Sequence, residues 1–109
     1  MEFSHDRSGD TLVVTASGRV DGSNASDFLE SLQGMFDPGD QRIILDLDGL
    51  EYISSAGLRV LLMAAQNLDK QNKSFSICSL TEAVGDVFRI SGFDQIINVF
   101  PSVDDAKQG

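Results

Sequence analysis

The chain has 109 residues, with 8 basic side chains against 17 acidic and a net charge of −9. That length suits one domain, and 41% apolar with 23% charged residues is the composition of a folded globule rather than a disordered segment. The acidic surplus excludes a nucleic-acid backbone or an anionic membrane surface as the main partner, because both would repel the chain, and it favours basic protein partners.

The chain opens on two β-rich runs, Glu2–Asp6 and Thr11–Ser17, separated by the turn sequence Arg7-Ser8-Gly9-Asp10. In the second run Leu12, Val14 and Ala16 alternate with Val13, Thr15 and Ser17, so a hairpin is expected. Gly18 to Gly22 reads as a break, with Ser23 as the cap of a first helix. Ala25, Phe28, Leu29, Leu32 and Phe36 give that helix one apolar stripe, and Asp37-Pro38-Gly39-Asp40 ends it. Arg42–Leu47 holds the uninterrupted run Ile43-Ile44-Leu45, the pattern of a strand covered on both faces. Asp48-Gly49 reads as a turn, and Leu50, Tyr52 and Ile53 lead into Ser54-Ser55-Ala56-Gly57.

A second helix is expected from about Ser55 to Asp69, buried through Leu58, Leu61, Leu62, Ala65 and Leu68. After the polar turn Gln71-Asn72-Lys73, Ser74–Leu80 alternates as a strand. Thr81 is placed to cap a third helix carrying Val84, Val87, Phe88 and Ile90 and stopped by Ser91-Gly92. Ile96–Phe100 reads as a short strand, and Ser102-Val103-Asp104-Asp105 as the start of a last helix. Lys107-Gln108-Gly109 is expected to fray. Helices alternating with strands after a hairpin give an α/β fold, a mixed sheet packed by helices.

Several chemistries have too few residues. Cys78 is the only cysteine and His5 the only histidine, so no internal disulfide forms, and neither a Cys/His zinc site nor a Ser-His-Asp triad is readily supplied. No cofactor is expected. The N-terminus shows no signal-peptide pattern and no apolar stretch approaches a membrane span, so the expected compartment is the cytoplasm. Cys78 reads as core and His5 as edge or surface, and Phe93 and Phe100 are expected to pack on the third helix. Asp46 and Asp48, with Asp21, could in principle hold magnesium; carboxylates at strand ends are more often solvated or capping, so no metal site is assigned.

The informative segment runs from Ile43 to Leu62, where a buried strand delivers two serines to the start of an amphipathic helix. A helix N-terminus carries unsatisfied N–H groups and a positive dipole end, so it tolerates a phosphoryl group. A serine there is equally the commonest kind of cap, and helical geometry does not choose between Ser54 and Ser55. Gly57, lacking a side chain, would let another protein's backbone approach closely.

The stretch LDLDGLEYISSAGLRVLL resembles the signature of the STAS domain of bacterial anti-sigma-factor antagonists. Gly18-Arg19-Val20-Asp21 with the helix after it, Phe88 to Phe93, and Phe100 to Ala106 extend the resemblance over nearly the whole chain, as a single domain over residues 1–109. It implies a STAS-like mixed sheet opened by an N-terminal hairpin, with helices mainly on one face. It also implies a binding protein and no enzyme. The partners it implies are an anti-sigma factor with serine kinase activity, whose binding frees the sigma factor, and a serine/threonine phosphatase that reverses the modification. Direct nucleic-acid binding and membrane attachment are not implied, and a monomer or weak dimer is expected.

Family loops typically read Asp-Ser-Ser/Thr-Gly-Leu with the first serine modified. With Gly57-Leu58 fixing the register, the resemblance puts Ser55 at the acceptor position, Ala56 after it, and Ser54 where the aspartate usually stands; Ser54 is the second choice as acceptor. Asp21, Ser54, Ser55, Ala56, Gly57 and Arg59 are the expected partner-binding residues. Arg59, one turn after Ser55, is placed either to pair with a phosphate or to be solvated. The alternative is a STAS scaffold, or a partner-switch module for another target such as secretion or surface-polymer production. A hydrolase is disfavoured: the serines lack the preceding glycine of a nucleophile elbow and no Gly-rich lysine loop is present.

Overall fold

The computed structural model describes residues 1–109. Five strands form one sheet in the sequential order β1-β2-β3-β4-β5. The hairpin β1 (Glu2–Ser8) and β2 (Thr11–Val20) is antiparallel, and β3 (Arg42–Ile53), β4 (Ser74–Cys78) and β5 (Asn98–Phe100) follow parallel to β2. The crossover helices are α1 (Ala25–Gly34), α2 (Ser55–Lys70) and α3 (Glu82–Ser91), and a fourth, α4 (Val103–Gln108), ends the chain. Because the parallel strands progress in one direction, right-handed crossovers set α1, α2 and α3 on one face. Leu12, Val14, Ile43, Leu45 and Ile77 meet Phe28, Leu32, Leu61, Leu68 and Phe88 in the main core there. Ile44 points the other way, into a small cluster with Cys78 and with Ala106 of α4. Coverage on both sides of β3 is thus what its unbroken apolar run encodes.

Several expectations need correction. Asp48-Gly49 does not turn the chain: β3 continues to Ile53 and pairs with β2 through register shifts near Ser17 and Gly18. The Gly49 position lies against Ser17, whose Cβ would be 2.6 Å from a Cβ added there, so only glycine lets the two backbones come this close. β2 likewise runs through the expected break at Gly18 to Val20. The helix after it is capped at Asn24 rather than Ser23, and it ends before Phe36, which still packs against the core. β4 stops at Cys78, before a Ser79 with φ of 64°. Ile96 precedes β5 instead of starting it and is exposed; Ile90 lies on the outer face of α3, 83% exposed. Lys107 and Gln108 are helical, and the Lys107 carbonyl accepts a bond from the Arg42 guanidinium. Phe93 meets Phe88 of α3 edge-on with ring centroids 6.3 Å apart, but Phe100 packs on the α4 side.

Candidate functional site

The C-terminal ends of β2 and β3 lie side by side, with Val20 opposite Ile53 and the Ser54 N–H donating to the Val20 carbonyl at 2.9 Å. The loop after β2 and the start of α2 are therefore neighbours, and this is the end of a parallel sheet where α/β folds place their ligands.

The two serines have different environments. Ser54 is the N-cap of α2, in extended conformation, and its Oγ accepts from the Gly57 N–H at 3.3 Å. Ser55 is the first helical residue, exposed, and its hydroxyl has no hydrogen-bond partner within the protein. The cap distinguishes the two serines that sequence periodicity left alike: the Ser54 hydroxyl satisfies a backbone donor and the Ser55 hydroxyl is free. No acidic residue occupies the first turn of α2, whereas the first turns of α1, α3 and α4 all hold one. The first turn of α2 therefore offers no acid of its own to the positive end of its dipole.

Asp21 shapes the facing loop. Its Oδ1 accepts from the Ser23 hydroxyl at 2.5 Å and from the Ser23 N–H at 2.9 Å. Its own N–H donates to Asn24 Oδ1, while Asn24 Nδ2 donates to the Arg19 carbonyl. The bonds from Ser23, hydroxyl first and backbone second, hold the Asp21 carboxyl below the usual carboxylate range. Asp21 is thus ionised and fixed in direction beside the α2 N-terminus.

Gly57 faces inward. A Cβ there would stand 2.7 Å from Ile53 Cγ1 and 2.8 Å from Val20 Cγ1. The close approach it permits is between α2 and its own sheet, not between this chain and a partner as the sequence suggested. Ala56 and Arg59 instead line a shallow groove between α1 and α2, with Ala25, Leu29, Val60 and Met63. Arg59 is exposed and makes no ion pair. Next to the serine loop, Arg19 stacks on the half-exposed ring of Tyr52, its guanidinium carbon 4.7 Å from the ring centroid. Sequence reasoning missed this pair and the groove. The adjacency of Arg19 to Tyr52 follows from the bulged β2–β3 register, which no local pattern announces.

Of the expected site residues, the structure brings Asp21, Ser54, Ser55 and Ala56 to one end of the sheet, with Arg59 one turn along α2. Asp46 and Asp48 do not join them. At ~3.3 Å per residue Asp48 is about 16 Å down β3 from Ile53, roughly two Debye lengths at physiological salt. The Asp46 carboxylate instead accepts from the Asp48 N–H, and no group of acidic residues here could hold a metal ion. Cys78 is fully buried, which pushes its thiol pKa up, and His5 is exposed on the edge strand. No helix is long and apolar enough to cross a membrane.

A five-stranded sheet opened by a hairpin, with a serine-capped helix at the head of its central strand, defines the α/β class of this domain. Residues 3–106 match the STAS domain, and the chain belongs to that family. It is 38% identical over 101 residues to BtrV of Bordetella bronchiseptica, an anti-sigma factor antagonist by name, covering 93% of this chain and 84% of that protein. The crystal structure of an anti-sigma factor antagonist from Mycobacterium paratuberculosis superposes with a TM-score of 0.88 at 21% identity, covering 98% of this chain and 91% of that one. The Bacillus cell fate determinant SpoIIAA in its phosphorylated form superposes with a TM-score of 0.70 at 16% identity, covering 98% and 97%.

Proposed function

We propose that this chain is an anti-sigma-factor antagonist switched by phosphorylation. With Ser55 unmodified it docks on an anti-sigma factor that is also a serine kinase, and the sigma factor is freed. The kinase then transfers the γ-phosphoryl group of ATP to Ser55 Oγ, the hydroxyl proton leaves, ADP is released and the complex separates. A serine/threonine phosphatase returns the binding form by hydrolysing the phosphoserine to serine and phosphate. In this reading residues 1–109 act as one regulatory unit in the cytoplasm, with no catalytic site and no cofactor of their own.

The observation that carries the proposal is the division between the two serines: Ser54 is committed to the cap, and Ser55 is exposed with a free hydroxyl at a helix N-terminus that holds no acid. The names of the relatives support the antagonist role, and the existence of a phosphorylated form of SpoIIAA supports a phosphoprotein. Charge supplies the switch. A phosphoryl group adds about −1.5 to −2 at neutral pH, at the same end of the sheet as the ionised Asp21. Burying that charge against a partner without a cation costs several kcal/mol, while ~1.4 kcal/mol already changes affinity tenfold. No refolding is required.

The test is peptide mass mapping after incubation with the cognate anti-sigma kinase and ATP. One phosphoryl group on Ser55 is expected, with none on the Ser55→Ala protein, which should bind the kinase constitutively. Modification elsewhere, with Ser55 untouched, overturns the assignment.

A further inference from the structure

We propose that Arg59 is a shared cation of this switch: unpaired in the groove between α1 and α2 while Ser55 is unmodified, and captured by the phosphate once Ser55 carries one. The inference rests on the function proposed above and adds how the modification reaches beyond its own position.

Arg59 stands apart from the other arginines. Arg7 pairs with Asp40 and Arg89 with Asp86, Arg19 lies on Tyr52, and Arg42 donates to the Lys107 carbonyl. Arg59 alone has none of these partners, although acids outnumber bases 17 to 8 in the chain. The groove it lines, with Leu29, Ala56 and Met63, contains no carboxylate. An apolar trough with one free cation fits a partner helix that presents aliphatic side chains and a carboxylate. The chain's overall acid surplus favours basic partners, but at this groove the local charge is a single cation with no carboxylate beside it, so local complementarity selects an amphipathic helix of the anti-sigma kinase that sets a carboxylate against Arg59.

Ser55, Arg59 and Met63 follow one another at a spacing of four along α2, so they form one ridge of the helix. Side chains four apart have Cβ atoms roughly 5–6 Å from each other, within reach of a bidentate guanidinium–phosphate contact. Phosphorylation thus does two things. It adds negative charge at the head of α2, and it withdraws from the groove the cation that the partner's carboxylate needs. Attraction is removed as repulsion is added.

The test installs phosphoserine at position 55 during translation, so that no kinase is needed, and follows the phosphorus resonance through a pH titration. A neighbouring cation favours the dianion, so the second phosphate pKa should lie roughly 0.4 unit lower in the otherwise unaltered protein than in Arg59→Gln. Arg59→Lys, which keeps the charge, should recover most of that shift. Coincident curves for all three proteins overturn the capture. A second arm measures affinity of the unmodified proteins for the purified kinase. Arg59→Gln should bind about 3–10-fold more weakly with unchanged thermal stability, and undiminished binding overturns the docking half. The titration is independent of which serine the kinase selects, so a wrong acceptor assignment and a wrong role for Arg59 give different results.

Discussion

Replacing Gly57 with alanine tests whether the α2 N-terminus is held by contact with its own sheet. The added methyl would sit 2.7 Å from Ile53 Cγ1, 2.8 Å from Val20 Cγ1 and 3.2 Å from Val20 Cβ. Val20 and Ile53 are β-branched and almost fully buried, so neither can turn away cheaply. Overpacking of this kind costs typically about 1–3 kcal/mol. Alanine returns up to ~1 kcal/mol through its helix propensity, less here because the site is in the first turn. The expected net loss is about 1–2 kcal/mol. For a domain of this size that lowers Tm by roughly 4–10 °C. Urea unfolding and calorimetry on the two proteins measure it directly. The same displacement moves the Ser54 cap, so kinase modification of Ser55 should slow as well. An alanine variant as stable as the parent would refute the account of Gly57 as a packing residue.

Four further outcomes follow from the same geometry. Ser54→Ala should lose about 1 kcal/mol in urea denaturation by orphaning the Gly57 N–H, whereas Ser54→Asp should keep the cap and gain a few tenths of a kcal/mol from the dipole. Arg7 Nε bonds Asp40 Oδ1 at 2.7 Å, with Asp40 only 1% exposed. Arg7→Ala should therefore lower the urea midpoint in the same assay, because it leaves the buried Asp40 carboxylate without its cation. The Arg7 hydrogen bond holds the Asp40 carboxyl below its ordinary value, so its contribution is complete above the unfolded carboxylate pKa near ~3.9 and is lost as pH falls through the folded value. The parent's urea midpoint should accordingly drop more steeply below about pH 4 than that of Asp40→Asn; parallel curves would rule this out. Ile90→Ser, on the bare face of α3, should leave stability within about 0.5 kcal/mol.

Most of the element order was legible because apolar spacing reports it directly. The Ile43-Ile44-Leu45 run gave a strand covered twice, and Thr81 was readable as a cap because Val84, Val87 and Phe88 follow it at helical spacing; its hydroxyl does accept from the Val84 N–H. What failed were the glycine positions. Gly18 and Gly49 look like local breaks, yet both lie within long paired strands, while Gly57 lies in the helix as expected but packs on its own sheet rather than opening to a partner. Their roles depend on what packs opposite, which is long-range information. Ile90 failed for a related reason: three apolar positions defined the stripe correctly, and the fourth, six residues after Val84, lies well off it on the helix. At the site, family resemblance pointed to Ser55 by register alone. The difference between a committed and a free hydroxyl needed the cap geometry.

The proposed switch requires that a phosphoryl group on Ser55 decides docking. Titration calorimetry of the cognate anti-sigma kinase with the unmodified protein, and with the protein carrying phosphoserine at position 55, measures this most directly. Under the proposed switch affinity falls by at least two orders of magnitude, about 2.7 kcal/mol, while circular dichroism shows the same fold in both. Equal affinity for the two forms would contradict it.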